Sequence, residues 1–270
     1  MVLAVAPLQV GTTLHPYFSW ASAVTKGTDV VVRPVLPGDV DVGAYQPRPE
    51  DVAKLATLDV LLINGIGHDD FIVKMLEASG NRKCRVVNLN DGTALLQVRH
   101  GTGKNSHTFL SYGNAIAQSY VMARALGALR PELAKTLQDN ASAYAKQLRA
   151  ARAAAVERLG AVRSHRVVTV HDGYGYLLQE LGLELIDVVE PSHGTLPSVA
   201  ELGQLLDELD REPVKVVLAE DAFPRALAQV LEQRGAKVVV VSHIATGAYT
   251  PERFVDEMKR SIDAVVAALQ

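Results

Sequence analysis

Residues 131–159 read PELAKTLQDNASAYAKQLRAARAAAVERL, a run dominated by alanine, leucine, arginine, lysine and glutamine, without glycine and with its one proline at the first position, where a helix tolerates it. One long helix is expected there. It closes a longer stretch, residues 111–158, of almost pure helix-former sequence in which Gly127 and Pro131 read as interruptions. On both sides the pattern changes. Before it, short valine- and leucine-rich runs at 3–10, 30–35, 60–63 and 86–89 alternate with helix candidates at 18–26, 49–56 and 71–78. After it, runs at 167–170, 185–189, 214–218 and 237–241 alternate with helix candidates at 174–181, 199–209, 224–234 and 251–269. Strands that are apolar throughout, rather than alternating, are buried on both faces, as in parallel sheets. The expected fold class is therefore α/β, with two lobes, each a parallel four-stranded sheet flanked by helices, joined by a long rigid helix. The boundaries follow as an N-terminal lobe at 1–128, a linking helix at 129–160 and a C-terminal lobe at 161–270. A single open sheet with an inserted helical pair is the alternative.

Composition narrows the function. The 270 residues are 48% apolar and 21% charged, which excludes a disordered chain. With 27 basic against 30 acidic residues there is no basic field for nucleic acid. No stretch approaches the roughly 20 apolar residues of a membrane span. The first residues, MVLAVAPLQVGTTLHPYF, lack a basic segment followed by a long apolar one, so no targeting segment is expected in this chain. One cysteine, Cys84, stands against eight histidines. A lone thiol forbids an intramolecular disulfide and a cysteine zinc cage, so any metal here is held by imidazole and carboxylate.

Two nucleotide motifs fail on inspection. Around Gly103-Lys104 the glycine and hydroxyl positions of a phosphate loop hold Val98 and Asn105, so the segment from His100 to Ser106 is not one. Gly65-Ile66-Gly67 starts like a dinucleotide fingerprint, but Asp70 replaces the third glycine and Asp69 adds a second charge that repels a pyrophosphate. No Gly-x-Ser-x-Gly elbow for a serine nucleophile is present. Cys84, between Lys83 and Arg85, reads as a small strand residue.

The histidines are informative by position. His15, His68, His107, His171 and His243 each fall just past the carboxyl end of an expected strand or in the loop that follows one. In α/β sheets ligands bind at that edge. His165 lies at the opposite edge, and His100 and His193 sit in polar loops. If the two sheets face one another, the five form a cleft site for a metal that favours imidazole.

Several segments resemble the cluster A-I, or ZnuA/TroA-type, metal-binding proteins of bacterial ABC importers over nearly the whole chain. Residues from Asp41 to Leu55 are similar to the family's Asp-Pro-His-x-Tyr-x-Pro segment and its helix, and Ser106-His107-Thr108-Phe109-Leu110-Ser111 resembles its Asp-Pro-His-Val-Trp-Leu-Asp. Most specific is His171-Asp172-Gly173-Tyr174-Gly175-Tyr176, close to the family's His-Asp-Ala-Tyr-Gly-Tyr. The last strand, with Ser242-His243-Ile244, resembles the family's final aspartate-bearing loop. This resemblance implies a metal held in the cleft between lobes by one ligand from each of four loops. His107 and His171 carry over directly. The family's first histidine is Gly43 here, and its final aspartate is His243.

The resemblance thus implies His107 and His171 as metal ligands. His243, in place of the family's aspartate, is another competent donor, and His15 is expected to replace the missing histidine, with His68 as the alternative, since both lie on loops of the lobe that lacks it. Asp172 or Glu220 would balance the charge from outside the coordination sphere. The cargo is expected to be Zn2+, with Mn2+ behind it, and the partner the membrane permease of an ABC importer. The chain is expected to act as a monomer without enzymatic activity, in the periplasm or membrane-associated outside the cell. Two other readings compete: a zinc hydrolase with an open coordination position, and a binding protein for a metal chelate.

Overall fold

The computed structural model describes residues 6–99, 102–190, 197–211, 214–220 and 223–270. His100 and His193 lie outside the described residues. The chain divides into two compact units that interleave along the sequence: Met1–Thr93, Asn114–Leu148 and Ile244–Phe254 form the first, and Ala94–Gly113, Arg149–His243 and Val255–Gln270 form the second.

In the first unit, strands β1 (Gln9–Thr12), β2 (Val31–Pro34), β3 (Val60–Ile63) and β4 (Arg85–Asn88) pair in parallel in the order β2-β1-β3-β4. The four residues of β3 are all buried, as an apolar run in a central parallel strand requires. Helices α1 (His15–Val24), α2 (Pro49–Leu55), α3 (Phe71–Ala78) and α4 (Tyr112–Leu129) accompany them. Trp20, fully buried, lies between Tyr17 and Phe254, with ring centroids 5.2 Å away on each side. The first strand lies later than residues 3–10. Pro7 has no N–H for the ladder, so pairing starts at Gln9, and residues 1–5 fall outside the described residues.

The second unit repeats the plan. Strands β5 (Arg166–Thr169), β6 (Glu184–Val188), β7 (Val216–Ala219) and β8 (Lys237–Val240) pair in parallel in the order β6-β5-β7-β8. Their core holds Val168, Ile186 and Val217 packed with Leu205 of α7 (Val199–Arg211) and Leu231 of α8 (Arg225–Gln233). Helices α6 (Gly175–Leu181) and α9 (Arg253–Leu269) complete the element list. Two parallel four-stranded sheets flanked by helices bear out the expected α/β class.

Between them in the chain runs α5 (Ala134–Gly160), 27 residues and about 40 Å at 1.5 Å per residue. Its buried positions, Leu137, Ala141, Tyr144, Ala145 and Leu148 and then Ala155 and Leu159, keep helical spacing. The long helix is therefore present, preceded by a short 3-10 turn at Pro131–Leu133. Proline disfavours the helical region for the residue before it, and α4 stops at Leu129, just short of Arg130. Gly127, read as a second interruption, does not break α4. A Cβ there would meet the Cβ of Ala134 at 3.1 Å, so glycine lets the start of α5 approach closely.

Candidate metal centre

The carboxyl edge of the second sheet delivers one functional group past each strand. His171 follows β5, Glu190 follows β6, Glu220 directly follows β7 and His243 follows β8. His107 comes from the segment before α4 that belongs to the same unit. Local sequence explains how these loops are held. Tyr176 uses one hydroxyl twice, accepting from Leu96 N at 3.0 Å and donating to Asn105 O at 2.7 Å, and so fixes the loop that carries His107. Tyr174 donates to Val241 O at 3.1 Å and fixes the chain leading to His243. Burial pushes the Tyr176 phenol up, which keeps it a neutral donor. Gly173 supplies clearance, because a Cβ there would meet His171 Cδ2 at 2.8 Å and His243 Nε2 at 3.0 Å. The His-Asp-Gly-Tyr-Gly-Tyr segment thus contributes a histidine, room for it, and one clamp on each of the other two histidine loops.

His107, His171 and His243 are buried, and one ring nitrogen of each lies within 4.8 Å of the others. Nε2 of His171 is 3.0 Å from Nε2 of His107. Ring centroids are 4.6 Å apart for His107 and His171, 4.8 Å for His107 and His243, and 5.2 Å for His171 and His243. The Nδ1 atoms face polar groups at different distances. Asn105 Oδ1 lies 3.0 Å from His107 Nδ1 and also accepts from His107 N at 2.9 Å. Glu190 Oε2 lies 3.8 Å from His171 Nδ1, and Glu220 Oε1 lies 3.9 Å from His243 Nδ1. A hydrogen-bond acceptor at Nδ1, as Asn105 provides for His107, is the arrangement that orients an imidazole to ligate through Nε2; the two carboxylates stand beyond hydrogen-bond distance but close enough to act through their charge. Three convergent imidazoles suit a borderline transition-metal ion.

The other expected residues sit as follows. His15 is the first residue of α1 and is buried in the first unit, its ring stacked on Tyr249 at 3.9 Å and 1°. Its Nε2 donates to Gly247 O at 2.9 Å, so the lone pair is on Nδ1, which has no hydrogen-bond partner among the described residues. Burial holds the His15 imidazole below its ordinary value, opposed by the Gly247 carbonyl. Tyr249 is pushed up by the same burial. His68 is also buried, beside Asp69, which accepts from Asn64 N at 2.8 Å, Gly65 N at 2.9 Å and Thr13 Oγ1. Gly43, where the family's histidine is missing, is exposed in a 3-10 turn and donates to Asp41 Oδ1 at 2.9 Å.

Asp172, expected to balance charge, instead accepts from Arg99 N at 2.5 Å, and its carbonyl accepts from Asn105 Nδ2 at 2.6 Å. A cavity of about 300 Å³ lies on that side, with Arg99, Asn105, Asp172 and Leu185 in its wall. Burial pushes the half-buried Cys84 thiol up to about 11, so it is an unreactive strand-end residue. Sequence reasoning missed Glu190 and Asn105. The signal for Glu190 was a carboxylate two residues past a strand.

The family description "Zinc-uptake complex component A periplasmic" (ZnuA) matches residues 10–268. Among curated proteins, the zinc-binding lipoprotein AdcA of Streptococcus pneumoniae is 22% identical over 276 residues, covering 96% of this chain. The chain spans 55% of AdcA, about half that relative's length. The high-affinity zinc uptake system protein ZnuA of Bacillus subtilis is 23% identical over 288 residues, covering 97% of this chain and 88% of that protein. Among solved structures, the SBP FpvC of Pseudomonas aeruginosa in complex with Mn2+ is 41% identical, covers 97% of this chain and 98% of its own, and superposes with a TM-score of 0.90. The same protein in complex with Ni2+ is 41% identical with a TM-score of 0.89, covering 98% of this chain and 97% of that one.

Proposed function

From the premise that the chain belongs to the ZnuA family of zinc-uptake components, we propose that it captures a divalent metal ion at His107, His171 and His243 and delivers it to the membrane permease of an ABC importer. The observation that carries this reading is the convergence of three buried imidazoles, one bonded at Nδ1 to Asn105 and two with a carboxylate 3.8 Å or 3.9 Å from Nδ1. Zinc is the proposed cargo. Nitrogen donors rank Mn2+ lowest in the divalent series and Ni2+, Cu2+ and Zn2+ high. His15 is the proposed fourth donor on its own chemistry, since its Nε2–H is held by Gly247 and Nδ1 carries the lone pair, with His68 as the alternative. The chain works outside the cytoplasm, in the periplasm or membrane-associated, and as a monomer. Among the described residues no helix is long and apolar enough to cross a membrane. A family of uptake components leaves no place for the zinc-hydrolase reading.

Binding rather than turnover is then the measure of function. Calorimetric titration of zinc into the parent chain, His107→Ala and His171→Ala tests it. Each variant is expected to bind roughly 10-fold or more weakly, as loss of a ligand costs at least what loss of its outer partner does. Equal affinity in parent and variants would end the assignment.

A further inference from the structure

We infer that Glu190 and Glu220 balance the charge of the histidine site and set its preference for doubly over singly charged cations; this rests on His107, His171 and His243 being the ligands. In the spatial order β6-β5-β7-β8, the groups past the strand ends read Glu190, His171, Glu220, His243. The alternation sets one carboxylate beside each of the two histidines that this edge supplies, at 3.8 Å and 3.9 Å from Nδ1. The third histidine, His107, has the neutral Asn105 oxygen at its Nδ1 instead.

The hydrogen positions follow from the acceptors. An amide oxygen accepts only, so His107 keeps its proton on Nδ1 and offers a lone pair at Nε2. His171 then donates from Nε2 to that lone pair. For His171 to ligate through Nε2, its proton must move to Nδ1, the side on which the Glu190 carboxylate stands at 3.8 Å. Glu220 stands at a similar distance, 3.9 Å, from Nδ1 of His243.

Three neutral imidazoles bring no charge, so a divalent ion keeps its full charge of +2. The two carboxylates carry −2 together, which matches a divalent ion and exceeds a monovalent one. The side chains are 13% exposed for Glu190 and 25% for Glu220, so solvent screens them incompletely. At a fixed distance each carboxylate favours a divalent ion twice as strongly as a monovalent one. Glu190 and Glu220 are positioning residues, and they act through the imidazoles.

The test is titration of Zn2+ and Ag+ into the full chain as parent, as Glu190→Gln with Glu220→Gln, and as Glu190→Asp with Glu220→Asp. Co2+ absorption reports whether the ligand set is intact. Expected for the double glutamine variant is a loss of about 100-fold for Zn2+ and about 10-fold for Ag+, with the Co2+ band shape unchanged. The double aspartate variant keeps the charge and is expected to recover most of the zinc affinity. Equal losses for the two ions, no loss for either, or an altered Co2+ spectrum in the glutamine variant would overturn the inference. If that variant does not fold, failure of the aspartate variant to prefer Zn2+ as the parent does would overturn it. Zinc binding that survives His107→Ala and His171→Ala removes the ligand reading itself. Histidine-dependent binding that ignores both glutamates removes only this inference.

Discussion

Nε2 of His171 lies 3.0 Å from Nε2 of His107, and because Asn105 Oδ1 holds the His107 proton at Nδ1, His171 is the donor of that pair. The two nitrogens are thus joined by a single proton. A metal that ligates both requires that proton to relocate to Nδ1 of His171, so the pair holds His171 in the other tautomer until an ion binds.

Asn105 fixes the outcome for His107. Its Oδ1 accepts from both the backbone and the ring of His107, while its Nδ2 donates to Asp172 O. Asn105→Ala removes the acceptor and leaves the ring to turn. Zinc affinity measured by calorimetry is expected to fall 10- to 100-fold, roughly the range for outer partners of ligating histidines. Asn105→Asp restores an acceptor and is expected to recover part of it.

Gly173 is required by space. It is not among the glycines with positive φ, so alanine there meets no backbone penalty but does meet His171 and His243. Gly173→Ala is expected to weaken zinc by roughly 10-fold while metal-free thermal unfolding shifts by only a few degrees, since about 1 kcal/mol moves a domain of this kind by 2–4 °C. Unchanged affinity would mean that the rings move aside without cost.

Tyr176→Phe deletes the hydroxyl that joins Leu96 N to Asn105 O. Leaving those groups unpaired is expected to cost about 1–3 kcal/mol of stability in urea unfolding. The same change loosens the His107 loop, so zinc affinity is expected to fall with it.

His15 gives an acid limb to metal-free stability. Burial lowers its folded-state value below the ordinary 6.5, so on acidification the unfolded chain takes up the proton first. Stability therefore falls as pH drops below 6.5 and continues to fall until the folded form also protonates, at up to about 1.4 kcal/mol per pH unit. His15→Phe keeps a ring against Tyr249 and cannot titrate. Urea unfolding at pH 5 to 7 is expected to show a shallower slope in that variant.

Much of this was legible in the sequence because the signals were local. Apolar runs gave seven of the strands to within a few residues, and residues 131–159 gave the long helix. His107, His171 and His243 stood out from eight histidines by lying past strand ends inside motif-like segments. What was hidden depends on spatial order. Glu190 neighbours His171 only because β6 pairs with β5, although 19 positions separate them in the chain. Asp172 adjoins His171 in sequence yet meets Arg99 and Asn105, since consecutive residues outside a helix point to different sides. Gly127 looked like a helix break because nothing local announces the approach of Ala134.

X-ray absorption at the zinc edge of the chain loaded with one equivalent of Zn2+ tests the central claim most directly. Expected is a nitrogen shell at about 2.0–2.1 Å with the outer scattering of at least three imidazoles, reduced by one imidazole in His107→Ala. A shell dominated by oxygen, or one unchanged in His107→Ala, would contradict a zinc site built on His107, His171 and His243.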